Sequence, residues 1–127
     1  MEQRAIENEI RGKAREWIDE YGEDFLVELI DAYLGDAPDR LARLRQALEG
    51  GDAEAFAREA HTLKSSSANL GAMKISALAK EMEAAGRAGK MAQMAEPVAR
   101  TEAEFALVKA ALEALRSTPQ AFTGREL

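Results

Sequence analysis

No cysteine occurs among the 127 residues of this chain. That excludes a disulfide framework, a thiolate nucleophile and a cysteine-based metal site. Histidine is nearly as scarce, with one copy at position 61. No apolar run approaches the ~20 residues that a bilayer-spanning helix needs, so no membrane partner is expected. The opening stretch MEQRAIENEIRGK is charged throughout and lacks the apolar core of a secretory leader. A cytoplasmic setting is therefore expected. Basic residues are in deficit: 17 Lys and Arg against 23 Asp and Glu give a net charge of −6. Nucleic-acid binding favours a basic surface, so no nucleic acid partner is expected. A glycine-rich phosphate loop and an ATP-binding pattern are also missing.

What is present is helix-forming material. The hydrophobic fraction is 46% and the charged fraction 31%, the balance of a globular domain rather than a disordered chain. The length suits one domain with one buried core. Ala, Leu, Glu, Arg and Lys dominate, and no segment alternates in the manner of a strand. Gly22 precedes a run with Phe25, Leu26, Leu29, Ile30, Tyr33 and Leu34, and Leu41, Leu44 and Leu48 follow Pro38. This reads as one long helix bent near Pro38, or two abutting helices, stopped by Gly50-Gly51. Asp52 is placed to cap a helix that ends near Leu70 and Gly71. Another helix is predicted from about Met73 to Arg87.

The last helix is the clearest. Met91, Met94, Val98, Thr101, Phe105, Val108, Leu112 and Leu115 recur at alternating spacings of three and four, the seam of a helix packed along others. Pro97 either kinks this helix or marks its start. The two methionines read as core filling rather than a cofactor pocket. Trp17 and Ile18 suggest a short N-terminal helix covering one end. Short connections favour antiparallel neighbours. The expected fold is all-α, an up-down-up-down antiparallel four-helix bundle with an accessory N-terminal helix. It forms a single domain over residues 1–116, with a frayed tail over 117–127.

On a helix turning about 100° per residue, Phe56, Ala60, Leu63, Ser67 and Leu70 form a buried stripe, and His61 lies about 140° from Phe56 on the solvent side. Glu54, Ala57, Arg58, Lys64, Ser65 and Ala68 share its face. Ala57, Ser65 and Ala68 are small, so the imidazole stands clear of them. Lys64 at i+3 and Arg58 at i−3 can each bring a cation beside a group on the ring. Neutral imidazole is a good nucleophile near pH 7. Nearby cations stabilise a phosphate once it arrives. Histidine also lies in the less acidic part of the chain: residues 1–52 carry 14 acidic and 7 basic side chains (−7), and residues 53–127 carry 9 and 10 (+1). An acidic partner meets less repulsion there.

The stretch AHTLKSSSANLGA resembles the signature of the histidine-containing phosphotransfer (HPt) family, H-x-L-K-G-S-S-x-x-L-G. His61, Leu63, Lys64, Ser66, Ser67, Leu70 and Gly71 match, and the resemblance covers roughly residues 17–116. Ser65 replaces the usual small glycine, which bears on docking rate or partner choice. The resemblance implies a phosphorelay carrier without kinase activity of its own. His61 would accept a phosphoryl group from a receiver-domain aspartate and pass it to another receiver. The partners implied are response-regulator receiver domains or a hybrid histidine kinase, with the chain itself expected as a monomer. No intrinsic cofactor is implied, since the receiver holds the Mg²⁺. Within this reading Lys64 is the chief phosphate-side cation and Arg58 a weaker candidate. Ala57, Ser65 and Ala68 form the docking floor. Ser67, on the core stripe, lets helices approach or bonds a backbone carbonyl.

Three other readings are weighed against it. A non-catalytic helical interaction module has no need of His61 beside Lys64. A bundle metal site would want inward carboxylates and Glu-x-x-His pairs, whereas Arg58 stands at i−3 and there is no second histidine. A dimeric histidine kinase fragment would need a partner to complete its bundle, and this chain supplies enough helices alone.

Overall fold

Asp52 illustrates how local chemistry sets the helix ends. Its carboxylate accepts a hydrogen bond from the Ala55 N–H at 3.1 Å, satisfying a donor that the first turn leaves open. The structure is a computed structural model and describes residues 2–117. The expected tail, apart from Ser117, lies outside the described residues. Five helices follow one another: α1 (Glu2–Tyr21), α2 (Glu23–Gly50), α3 (Ala53–Asn69), α4 (Met73–Arg87) and α5 (Ala95–Ser117). No strand occurs among the described residues.

The two readings of the second segment resolve to one helix. α2 runs unbroken past Pro38, whose missing N–H falls on the exposed side. Pro97 marks the start of α5, lying in its first turn. The seam residues from Met94 to Leu115 are all buried, while Met91 sits in the preceding turn and is only partly covered. Thr101 is tolerated on that seam because its hydroxyl donates to the Pro97 carbonyl at 2.7 Å.

α2, α3, α4 and α5 close a ring of contacts, α2 on α3, α3 on α4, α4 on α5 and α5 on α2. Leu26, Ile30, Leu44, Phe56, Leu63, Met82, Val98 and Leu112 fill its centre and are almost fully removed from water. Burying each such side chain contributes about 1.5–3 kcal/mol. The buried stripe of α3 is as its periodicity predicts: Phe56, Ala60, Leu63, Ser67 and Leu70 all face inward. Ser67, however, bonds no backbone carbonyl. Its hydroxyl pairs at 2.8 Å with the Tyr33 hydroxyl of α2, which satisfies two buried polar groups at once.

The N-terminal helix is not short. α1 has 20 residues and packs against α2 and α5. Ile6, Ile10 and Ala14, at four-residue spacing, form its buried face. Charged residues crowd between them, which masks the period in the sequence. Near its C-terminal end, Trp17 donates through its indole N–H to the Asn69 carbonyl at 2.6 Å. Its middle passes over the α3–α4 turn. Gly71 there has a φ of +82°, and a Cβ at this position would lie 2.6 Å from the Glu9 carbonyl oxygen. Gly71 thus ends α3 in the left-handed conformation and also lets the α1 backbone come into contact.

Gly71→Ala should therefore lose about 1–2 kcal/mol from the left-handed backbone alone, and more from the displacement of α1. Urea denaturation followed by Trp17 fluorescence measures this, because the indole reports the same junction. An unchanged midpoint would refute the double role of Gly71.

Candidate functional site

Two helices supply the site, and each contributes along one edge of their mutual seam. α3 presents His61 and, one turn on, Lys64. α4 presents Glu83 and, one turn on, Arg87. The expectation that His61 faces solvent holds, with 55% of its side chain exposed. Glu83 is the contrast, only 10% exposed at its side chain and enclosed by three donors. Its Oε2 lies 2.9 Å from His61 Nδ1 and accepts from Arg87 at 3.0 Å and 2.7 Å. Its Oε1 accepts from Lys64 Nζ at 2.8 Å.

The hydrogen bond from Lys64, then that from Arg87, pull the Glu83 carboxyl down to about 2; burial works against them and is outweighed. Glu83 is therefore ionised at neutral pH, and an ionised carboxylate can only accept. The proton in the His61–Glu83 bond must sit on Nδ1. In the neutral imidazole that leaves Nε2 bare, with its lone pair available, and Nε2 has no partner among the described residues. Free imidazole side chains favour the opposite tautomer, so the carboxylate reverses a default. Two cations against one carboxylate leave a local charge of +1 beside the imidazole. That arrangement can make a nucleophile of Nε2 and receive a dianionic group on it.

The structure brings His61 and Lys64 together, but through Glu83, because the ammonium bonds the carboxylate. Arg58 is exposed and lines, with His61, Thr62 and Arg87, an open groove of about 780 Å³ beside the imidazole. Ser65 is exposed and Ala68 half-buried, both accessible to a partner. Ala57 is a correction. It is only 4% exposed, so it lines the groove beside His61 without offering an open docking surface. α4 approaches α3 so closely at Gly86 that the Ala57 methyl is covered.

Glu83 and Arg87 were missed by sequence reasoning. A signal existed: Glu83 sits within the apolar stripe of Ile75, Ala79, Met82 and Gly86, with an arginine at i+4. Pairing that carboxylate with a histidine 22 residues earlier requires the register between two helices, which spacing within one helix does not contain.

Among known proteins, the family described as the Hpt domain matches over residues 28–118. The crystal structure of histidine-containing phosphotransfer protein B (HptB) from Pseudomonas aeruginosa PAO1 is similar at a TM-score of 0.76 and 32% sequence identity. The match covers 82% of this chain and 90% of that one. No match was found among curated protein sequences. The match to the family over most of α2 and all of α3 to α5, together with the likeness to a solved phosphotransfer protein, shows that the chain belongs to the Hpt domain family.

Proposed function

We propose that this Hpt domain is a phosphorelay carrier in which His61 Nε2 accepts the phosphoryl group of a receiver-domain aspartyl phosphate and passes it to a second receiver. The observation that carries this reading is the ionised Glu83 carboxylate on Nδ1, which in the neutral imidazole puts the proton on Nδ1 and leaves Nε2 with its lone pair. In the forward step the Nε2 lone pair attacks phosphorus. The bond between phosphorus and the aspartyl oxygen breaks, and aspartate leaves as its carboxylate. The ring gains positive charge as it is phosphorylated, and Glu83 stabilises that charge through the Nδ1–H bond. Lys64 and Arg87 hold Glu83 and set the positive field in which the phosphoryl group arrives. Arg58 reaches the same groove from α3.

Ser65 and Ala68 supply the low surface on which a receiver sits. Mg²⁺ comes with the receiver, and the chain has no kinase activity of its own. The rest of the reading is an up-down-up-down order for α2–α5, supported by their ring of contacts and short connections, in a monomeric single domain over 1–116. No helix among the described residues is long and apolar enough to cross a membrane, which is compatible with action in the cytoplasm. A binding module without chemistry would have no use for a buried carboxylate on an exposed imidazole.

The principal test is labelling. His61→Gln should fold as wild type and take no phosphoryl group from a phosphorylated receiver. The wild-type label should be acid-labile and base-stable, as a phosphoramidate is. Label on His61→Gln would move the acceptor elsewhere.

Glu83→Ala should keep the fold yet slow transfer roughly tenfold or more, the scale of loss expected when a reacting group is misplaced. The folded carboxyl sits at about 2 against an ordinary 4.5. Its contribution to stability is complete above about pH 4.5 and is lost as pH falls from there toward 2. Acid titration by circular dichroism should show wild type losing more stability over that window than Glu83→Ala. Equal losses would mean that the carboxylate is not held by Lys64 and Arg87 in solution.

Ser65 separates docking from folding. Ser65→Gly should transfer at least as well as wild type but lose about 0.5–1 kcal/mol from the helix penalty of glycine. Ser65→Tyr should melt like wild type and fail to transfer, because the ring obstructs the receiver. Normal transfer by a folded Ser65→Tyr protein would place docking on another face.

A further inference from the structure

Gly86 lies inside α4, one residue from its end, where glycine is a poorer helix former than alanine. Its backbone does not require glycine, since the positive φ angles belong to Gly22, Gly51, Gly71 and Gly89. Its surroundings do. A Cβ at Gly86 would stand 2.9 Å from the Ala57 Cβ, 3.0 Å from the Ala53 carbonyl oxygen and 3.0 Å from the Ala57 nitrogen. Two of these three are backbone atoms of α3, which no rotamer change can remove. An added methyl must push the helices apart.

The position of this contact gives it a consequence for chemistry. Ala57 is one turn before His61 on α3, and Gly86 is one turn after Glu83 on α4. This close approach of the two helices therefore adjoins the 2.9 Å bond from His61 to Glu83. The Glu83 oxygen that meets His61, Oε2, is the one anchored by Arg87 to its own helix. Oε1 is held by Lys64 of α3. A few tenths of an ångström at Gly86 would be drawn from the Nδ1 bond, which weakens with distance.

We propose that Gly86 is a positioning residue for phosphotransfer: by admitting the α3 backbone at Ala57, it sets the helix spacing at which Glu83 holds the proton on Nδ1 and leaves Nε2 bare. The inference rests on His61 as phosphoacceptor. It gives Ala57 its place too, as the opposing half of the contact.

The test uses the full chain with two readouts. Nitrogen-15 NMR of the imidazole at neutral pH reports which ring nitrogen carries the proton, and labelled transfer from a phosphorylated receiver reports rate. Gly86→Ala should shift the ring from predominantly Nδ1–H toward the Nε2–H form and slow transfer roughly tenfold. Placed on Glu83→Ala, it should cause no further slowing, because the path through Glu83 is already cut. Ala57→Ser inserts an atom into the same gap from the other helix and should give the same pair of changes; it carries the test if Gly86→Ala does not fold. A wild-type tautomer in folded Gly86→Ala overturns the proposal. So does slowing that persists undiminished on the Glu83→Ala background. Wild-type protein that takes no label from any receiver instead sinks the phosphoacceptor reading, and the NMR measurement still decides whether Gly86 sets the tautomer.

Discussion

A carboxylate taken out of water is costly unless donors replace the solvent, and Glu83 meets that requirement with three side chains. His61 and Lys64 reach it from α3, and Arg87 from its own helix. Much else follows from that demand. The helices must lie close enough for side chains as short as histidine to meet across the seam. Small residues must stand where the backbones approach, and alanine and glycine occupy those places at Ala57 and Gly86. The lysine next to the histidine, which looks like a phosphate ligand when α3 is read alone, also bonds the carboxylate and does most to lower its pKa.

Much of this was legible before any coordinates. Periodicity gave the inward stripe of α3 and hence the outward direction of His61, because a single helix carries that information in its own spacing. Punctuation placed Asp52 and Gly71 at the ends of α3 and kept the long segment of α2 in view, although Pro38 left its continuity open. Periodicity failed where contacts between helices decide. Ala57 shares the angular sector of His61, yet α4 covers it. A helical wheel knows the direction of a side chain and nothing of what lies there. Glu83 was missed for the same reason. Its place in the apolar stripe of α4 sets it apart, but its partner on α3 shows only once the register of α4 on α3 is known.

α1 failed differently. Ile6, Ile10, Ala14, Trp17 and Ile18 mark its inner face, diluted by charge, so the stretch read as a short cover over one end. Its grip is unusual in using backbone as much as side chains. The Trp17 indole bonds a main-chain carbonyl at the end of α3, the Gln3 amide bonds the Leu107 carbonyl at 3.2 Å, and the Glu9 backbone rests on Gly71. Such contacts leave little trace in residue types.

The family match begins at residue 28, within α2, and leaves α1 outside. The backbone contact at Gly71 shows that the matched segment and the folding unit are different objects. A fragment trimmed to the matched residues would start partway along a helix and uncover the floor on which Ile6 and Ile10 rest. It would also free the turn that terminates the histidine-bearing helix. An excised piece that lost its activity would thus say nothing about the chemistry of His61, because the missing part is a brace and not a reagent.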